Sequence, residues 1–409
     1  WRSDAVKEAL DLCLACKGCK GDCPVHVDMA TYKAEFLAHY YERRIRPIHA
    51  YAFGFIHNWA RLASIAPSVA NFFSQHPQFS GLIKRVVGIA PERHLPVFAK
   101  EPFMEWFGRR EIHNRKGPRV VLWPDTFNNF FHPYIAQAAV DVLEDAGCRV
   151  IVPRQDMCCG RPLYDYGFLK TARKYLEDIL HKMADEIIEG LPFIVLEPSC
   201  CAVFRDELTN LLPHNVNAQR LKEQTFTLAE FLTKRAPGYR APILMKKAVL
   251  HGHCHHKSLL KMNADEELLR RMTVDFQKLD SGCCGMAGAF GFEKEHYDIS
   301  IKCGERVLLP RARELRDGDL LITDGFSCHE QVLQQTGKGA VHLAQVLQAA
   351  LRTGKREEPE KRRGEKQDGD GAGKFLPKQR DGHGRLRWIA PIGAAMAAAA
   401  IAYIAERKD

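Results

Sequence analysis

Hydrophobic and polar positions alternate along this chain with two periods, and the change from one to the other divides it. Near the start, Ser3 to Leu12 repeats its apolar residues at helical spacing, with Ser3 placed as an N-cap. After Pro24 the run from Met29 to about Tyr41 and the aromatic-rich stretch from Ala50 to Ala70 keep that spacing with little Gly or Pro punctuation, which predicts a helical connector. Tyr51, Phe53, Phe55 and Trp59 then read as residues facing a core.

From Arg119 the texture becomes short apolar runs between helical segments. Val120–Trp123, Arg149–Pro153 and Phe193–Leu196 read as strands, separated by helices at Tyr134–Ala146 and about Phe168–Glu189. The order then recurs: a strand at Ala248–His251, a helix near Asp265–Phe276, a helix from about Lys294 to Leu315, and a strand at Leu320–Thr323. Strands alternating with helices predict α/β architecture with mostly parallel sheets, and the recurrence predicts an internal duplication. Past Leu351 the periodicity stops. Residues 352–387 hold twelve Lys/Arg against seven Asp/Glu with many glycines, a composition expected to be a disordered basic linker. Trp388 to Ala405 then carries no charge and just reaches the length of a membrane span, with Trp388 and Tyr403 near its ends; it is expected to be a hydrophobic helix, either spanning a membrane or packing on one or on protein.

These patterns give expected boundaries at 1–30 for a helical N-terminal part, 31–115 for the connector, 116–235 and 236–351 for the two copies, and 352–387 and 388–405 for the tail. At 409 residues there is ample chain for two or three cores. The net charge of +9 raises the question of nucleic acid, but no basic stripe with interleaved aromatics appears, so nucleic-acid binding is not expected. The first residue is Trp1 rather than Met, and the natural polypeptide is expected to begin further upstream.

The cysteines change the picture most. Fourteen of them are too dilute for a disulfide scaffold and fall in groups, which predicts metal binding in a reducing, cytoplasm-facing setting. Cys13, Cys16, Cys19 and Cys23-Pro24 follow the C-x2-C-x2-C-x3-C-P spacing of a ferredoxin loop around a 4Fe-4S cluster, where three thiolates serve one cluster and the fourth serves another. The stretch therefore reads as half of a two-cluster module, with Cys13, Cys16 and Cys19 expecting a fourth ligand from before Trp1. Zinc is the competing occupant, although its sites usually use two separated C-x2-4-C pairs.

The duplication carries its own thiols. Cys158-Cys159-Gly160 is followed by Cys200, and Cys283-Cys284-Gly285 by Cys328, each pair and each later cysteine following a strand. Parallel strands open their C-terminal ends on one edge, so these thiols are expected to converge there. In the second copy Cys254 adds a fourth thiol, enough for a cubane, while Gln331 stands where a further one might be. The first copy has Asp125 in the place of Cys254. Either that copy has lost its cluster, the preferred reading, or it uses Asp125 with Cys158, Cys159 and Cys200. Cys148, Cys201 and Cys303 read as core thiols. His251, His253, His255 and His256 are expected to hydrogen-bond cluster sulfurs or cap a helix, with zinc ligation as the alternative. Arg205 offsets anionic charge or lies on a helix surface.

The CCG repeat resembles the cysteine-rich domain of heterodisulfide reductase subunits, the anaerobic glycerol-3-phosphate dehydrogenase iron-sulfur subunit, and glycolate or lactate oxidase iron-sulfur components. Leu12 to Phe36, Trp123-Pro-Asp-Thr-Phe127, Cys158 to Tyr166, Glu197-Pro-Ser-Cys200, His253-Cys-His-His256 and Cys283 to Gly288 are more closely similar to the C-terminal iron-sulfur half of FAD-linked D-lactate dehydrogenase-like proteins. The resemblance implies an oxidoreductase whose FAD lies in an upstream domain or subunit, with 4Fe-4S clusters at Cys13, Cys16, Cys19, Cys23, Cys254, Cys283, Cys284 and Cys328. It also implies electron transfer from a D-2-hydroxyacid to a quinone or cytochrome at the cytoplasmic side of a membrane. No flavin turn or substrate base is visible here, so the catalytic residues stay unassigned. A thiol-disulfide enzyme like heterodisulfide reductase and a zinc-bound scaffold are the competing readings.

Overall fold

The computed structural model describes residues 1–236 and 238–354. The expected linker beyond Gly354 and the hydrophobic stretch at 388–405 lie outside the described residues. Among the described residues no helix is long and apolar enough to cross a membrane.

Two parallel sheets form the centre. In the first copy β1 (Arg119–Trp123), β2 (Arg149–Ile151), β3 (Phe193–Val195) and β4 (Thr225–Phe226) lie in the order β2-β1-β3-β4. In the second, β5 (Lys247–Leu250), β6 (Asp275–Lys278) and β7 (Leu320–Ile322) lie in the order β6-β5-β7. Every pairing is parallel, and β5 occupies the central place that β1 has in the first copy. Where β4 extends the first sheet, the second has a parallel bridge from Ile322 to Val341. The duplication thus extends from the cysteines to the strand order.

The copies share a core. The Pro133–Asp145 helix, which follows β1, packs on Leu343–Arg352, the last helix among the described residues, and the Leu228–Lys234 helix packs on Asn263–Arg271, which follows β5. The helices of one copy thus pack on those of the other, and Val120, Leu122, Ala136, Val140, Ala248, Leu268, Val346 and Leu347 meet in one apolar cluster. The buried β runs carry little polar interruption because both faces of a parallel sheet are covered.

Several boundaries depart from expectation. The helix expected over 265–276 ends at Arg271; Thr273 takes a left-handed φ of 61°, and Asp275–Lys278 becomes β6. This edge strand carries three exposed positions, so apolar burial did not mark it in the sequence. The run at 50–70 does not continue as one helix but is divided among Ile48–Gly54, Ile56–Ala63 and Pro67–Gln75, with Pro77–Val87 after it. Pro67 and Pro77 sit at first helical positions, where the missing N–H costs nothing, and so start new helices. The segment expected from Lys294 to Leu315 breaks before Leu308, at Val307. The connector aromatics do pack inward: Phe53 lies against Phe292, and Tyr51 and Phe55 against Phe168.

The N-terminal part is helical, with Asp4–Asp11 capped by Ser3, Gly18–Asp22 within the cysteine loop, and Met29–Tyr40 capped by Asp28. It is clamped between the copies. Lys17, its side chain 0% exposed, meets Asp206 at 2.5 Å, Glu207 at 2.8 Å and Asp28 at 3.2 Å. Arg161 pairs with Glu207 and donates to the Ala15 carbonyl at 3.0 Å. From the second copy, His255 bonds the same carbonyl at 3.1 Å and Ser258 reaches the Cys16 carbonyl.

Candidate metal centre

Ala15 and Lys17 adopt left-handed φ values of 50° and 58°, which curl the loop around its thiols. Burial, and then the neighbouring Cys254, push the Cys16 thiol up to about 11, with Cys13 and Cys19 also acting on it. Cys23 is set differently: its sulfur faces the backbone N–H groups of Val27, Val25 and His26, which hold its thiol below the ordinary value. That nest of donors suits an anionic ligand.

In the second copy the thiols of Cys254 and Cys283, of Cys283 and Cys284, and of Cys284 and Cys328 are in mutual hydrogen-bonding contact. Gly285, at φ +92°, makes the turn possible: a Cβ there would lie 1.9 Å from the Ser300 carbonyl oxygen. Cys254 therefore stands between the N-terminal loop and the CCG turn. Four soft donors from three segments, with Cys284 and Cys328 buried, fit an iron-sulfur cluster in ligand type and number.

In the first copy Cys158 contacts Cys159, and Cys159 lies 3.0 Å from Cys200, sulfur to sulfur. The Cys159 thiol donates to Cys200 and lowers it, but burial with Asp125 and Glu197 pushes it up to about 12. Asp125 is committed elsewhere. Its Oδ1 accepts the N–H groups of Phe127 and Asn128 at 3.0 Å and its Oδ2 accepts Asn128 Nδ2 at 2.7 Å, so it caps the Thr126–Phe130 helix. Three thiols with a capping carboxylate fit a cubane less well than the second copy does.

The histidines around Cys254 are held by several contacts. His251 bonds Ser281 Oγ at 2.8 Å, His255 the Ala15 carbonyl, and His256 lies 3.0 Å from Asp265. Burial pulls His251 down to about 4 and His253 to about 3, so both are neutral near pH 7. One ring nitrogen of His251 and one of His255 thus fasten loops, while His251 Nε2 and His255 Nδ1 are buried with no hydrogen-bond partner among the described residues. His253, Cys254 and His255 do bring donor atoms within 4.8 Å of one another, a set that zinc can also use. Arg205 forks onto Glu230 and the Thr225 carbonyl, which gives it a structural partner. Cys148 and Cys201 are buried thiols, raised by burial to about 11 and about 12, and Cys303 is half-buried.

The sequence did not single out Lys17, Arg161 or Glu197 as residues that join the parts, although the last two lie inside the CCG and Glu-Pro-Ser-Cys motifs. Glu197 Oε2 accepts the Phe326 N–H at 2.9 Å, linking the copies, and burial followed by Asp125 pushes its carboxyl up to about 8. A cavity of about 440 Å³ runs between the parts, bordered by Cys13, Cys158, Cys159, Cys200 and Cys254 and by apolar rings such as Phe127 and Phe326.

The model of the cysteine-rich CCG domain matches residues 125–205 and 249–332, one match per copy. The D-2-hydroxyglutarate dehydrogenase of Pantoea ananatis (strain AJ13355) is 26% identical over 365 residues, which is 84% of this chain and 34% of that protein. One subunit of the anaerobic glycerol-3-phosphate dehydrogenase of Escherichia coli (strain K12) is 27% identical over 321 residues, 71% of this chain and 80% of that protein. Lactate utilization protein A of Bacillus licheniformis is 26% identical over 249 residues, 56% of this chain and 98% of that protein. The chain spans about a third of the length of the D-2-hydroxyglutarate dehydrogenases it matches. The chain thus carries a match to the cysteine-rich CCG domain in each half of the duplication, and its similarity to these relatives agrees with the resemblance to the iron-sulfur half of FAD-linked D-lactate dehydrogenase-like proteins.

Proposed function

We propose that the chain is the electron-relay portion of a flavin-linked D-2-hydroxyacid dehydrogenase. The observation that carries this is the seating of the ferredoxin-spaced loop on both CCG copies, with Cys254 next to Cys16 on one side and Cys283 on the other. Iron-sulfur clusters, when bound, supply one-electron transfer. The residues that would hold them are Cys13, Cys16 and Cys19, with Cys23 serving a second cluster, and Cys254, Cys283, Cys284 and Cys328. His255 and Ser258 bond the Ala15 and Cys16 carbonyls and so hold the two candidate centres together, Lys17 and Arg161 fasten the same loop to the first copy, and an apolar shell packs around the second CCG turn.

The FAD belongs to an upstream domain or subunit, and the acceptor is a quinone or cytochrome reached at the cytoplasmic side of a membrane. The dehydrogenase names of the relatives support this direction of flow. The test is iron and acid-labile sulfide counted on the wild type and on Cys254→Ser. Loss of about one cubane's worth of iron, roughly four atoms, is expected; unchanged content sinks the second-copy assignment. A thiol-disulfide reductase is the second reading, favoured by Cys158, Cys159 and Cys200 bordering the cavity. Turnover of D-lactate against a mixed disulfide by the intact protein separates the two.

A further inference from the structure

Arg93 comes from the connector, outside either copy, and is completely buried. Its Nε donates to the Gly291 carbonyl at 2.6 Å, Nη1 to Gln331 Oε1 at 2.8 Å and Nη2 to Ser300 Oγ at 2.8 Å, and its guanidinium lies over the Tyr297 ring. All three acceptors are neutral, and among the described residues no carboxylate is in ion-pair contact with it. A guanidinium keeps its charge even here, and an unpaired buried charge is strongly unfavourable. The charged or ionisable groups that act on it through space are Tyr297, Cys284, Glu330 and Glu92. Glu330 is not in ion-pair contact with Arg93: its Oε2 accepts from Gln334 at 2.9 Å, its Oε1 lies 3.8 Å from His132 Nε2, and burial pushes its carboxyl up.

The three hydrogen bonds converge behind the second CCG turn. Ser300 backs directly onto Gly285, Gly291 packs against both, and Gln331 lies one helical turn beyond Cys328. Arg93 is thereby held against the two segments that carry Cys283, Cys284 and Cys328.

We propose that Arg93 is the buried counter-cation of the metal centre held by Cys254, Cys283, Cys284 and Cys328, and that its charge raises the reduction potential of that centre. The inference rests on the iron-sulfur reading above. Thiolate-ligated clusters are anionic and gain one more negative charge on reduction. A fixed positive charge in a low-dielectric interior therefore favours the reduced form. Arg93 acts as a positioning and tuning residue, touching neither sulfur nor substrate.

The experiment is a potentiometric titration of the full-length protein, following by EPR the signal that Cys254→Ser removes. Arg93→Met removes charge and hydrogen bonds together, whereas Arg93→Lys keeps the charge and cannot reproduce the three-way fork. The midpoint potential is expected to move to more negative values in Arg93→Met and to stay near wild type in Arg93→Lys. A wild-type potential in Arg93→Met overturns the proposal, as do equal shifts in both variants, which would mark a purely structural tie. If Arg93→Met holds no cluster, a filled site in Arg93→Lys supports the proposal and an empty one overturns it. Absence of any Cys254-dependent signal in the wild type overturns the iron-sulfur reading and Arg93's role with it, while an unmoved potential overturns Arg93's role alone.

Discussion

Replacing Lys17 with Met tests how the ferredoxin-spaced loop is held. The ammonium is 0% exposed and lies within 3.2 Å of Asp28, Asp206 and Glu207 at once. Removing one partner of a buried ion pair costs about 3–5 kcal/mol, because the other charge is left uncompensated. Here Lys20 still meets Asp206 at 2.6 Å and Arg161 still pairs with Glu207, so the low end applies, about 3 kcal/mol. That loss weakens docking of the loop about 100-fold. Hydrogen–deuterium exchange resolved over residues 13–28 reads it directly: protection there should collapse while the strands of both copies exchange as in the wild type. A change of less than about threefold in that segment, under 1 kcal/mol, would refute the reasoning. Neutralising the acids together with the lysine, as Lys17→Met with Asp206→Asn and Glu207→Gln, should recover part of the loss, since the desolvated carboxylates are what make it large.

The same cluster sets a pH dependence. Burial pushes Asp28 and Asp206 up, but Lys17 more than offsets it and both carboxyls lie below their usual range. Their contribution is present above the unfolded aspartate value of about 3.9 and is lost as pH falls through the lowered native values. Lys17 is raised, so its contribution is full below about 10.4 and is lost only above that. Loop protection should therefore be flat from about pH 5 to 9 and fall below about pH 4, and a loss near pH 6 would contradict it. Gly285→Ala places a Cβ 1.9 Å from the Ser300 oxygen at a left-handed φ, and should cost more than about 3 kcal/mol by urea unfolding. Gly160→Ala, at φ +79° with its nearest contact at 3.4 Å, should cost only the backbone strain, about 1–2 kcal/mol; equal losses would show that the two turns are not packed differently. Asp125→Asn keeps the helix cap and should leave iron content unchanged, and a fall in iron would make that carboxylate a ligand.

The sequence by itself determined the parts. Alternating apolar runs marked five of the seven strands among the described residues, and the missed ones are instructive: Thr225–Phe226 is two residues long and Asp275–Lys278 is largely exposed, so neither carries a burial pattern. Cysteine spacing marked the candidate centre, because close wrapping of a small inorganic core needs fixed intervals along one chain. Tertiary structure decided what the parts do to each other. That Cys254 lies beside Cys16, that Lys17 and Arg161 clamp the loop, and that Arg93 ends behind Gly285 are contacts between segments far apart in sequence. No local spacing encodes them. An isolated Arg or Lys in a polar stretch looks like a solvated surface residue until the fold removes its water, and only then does its charge demand a partner.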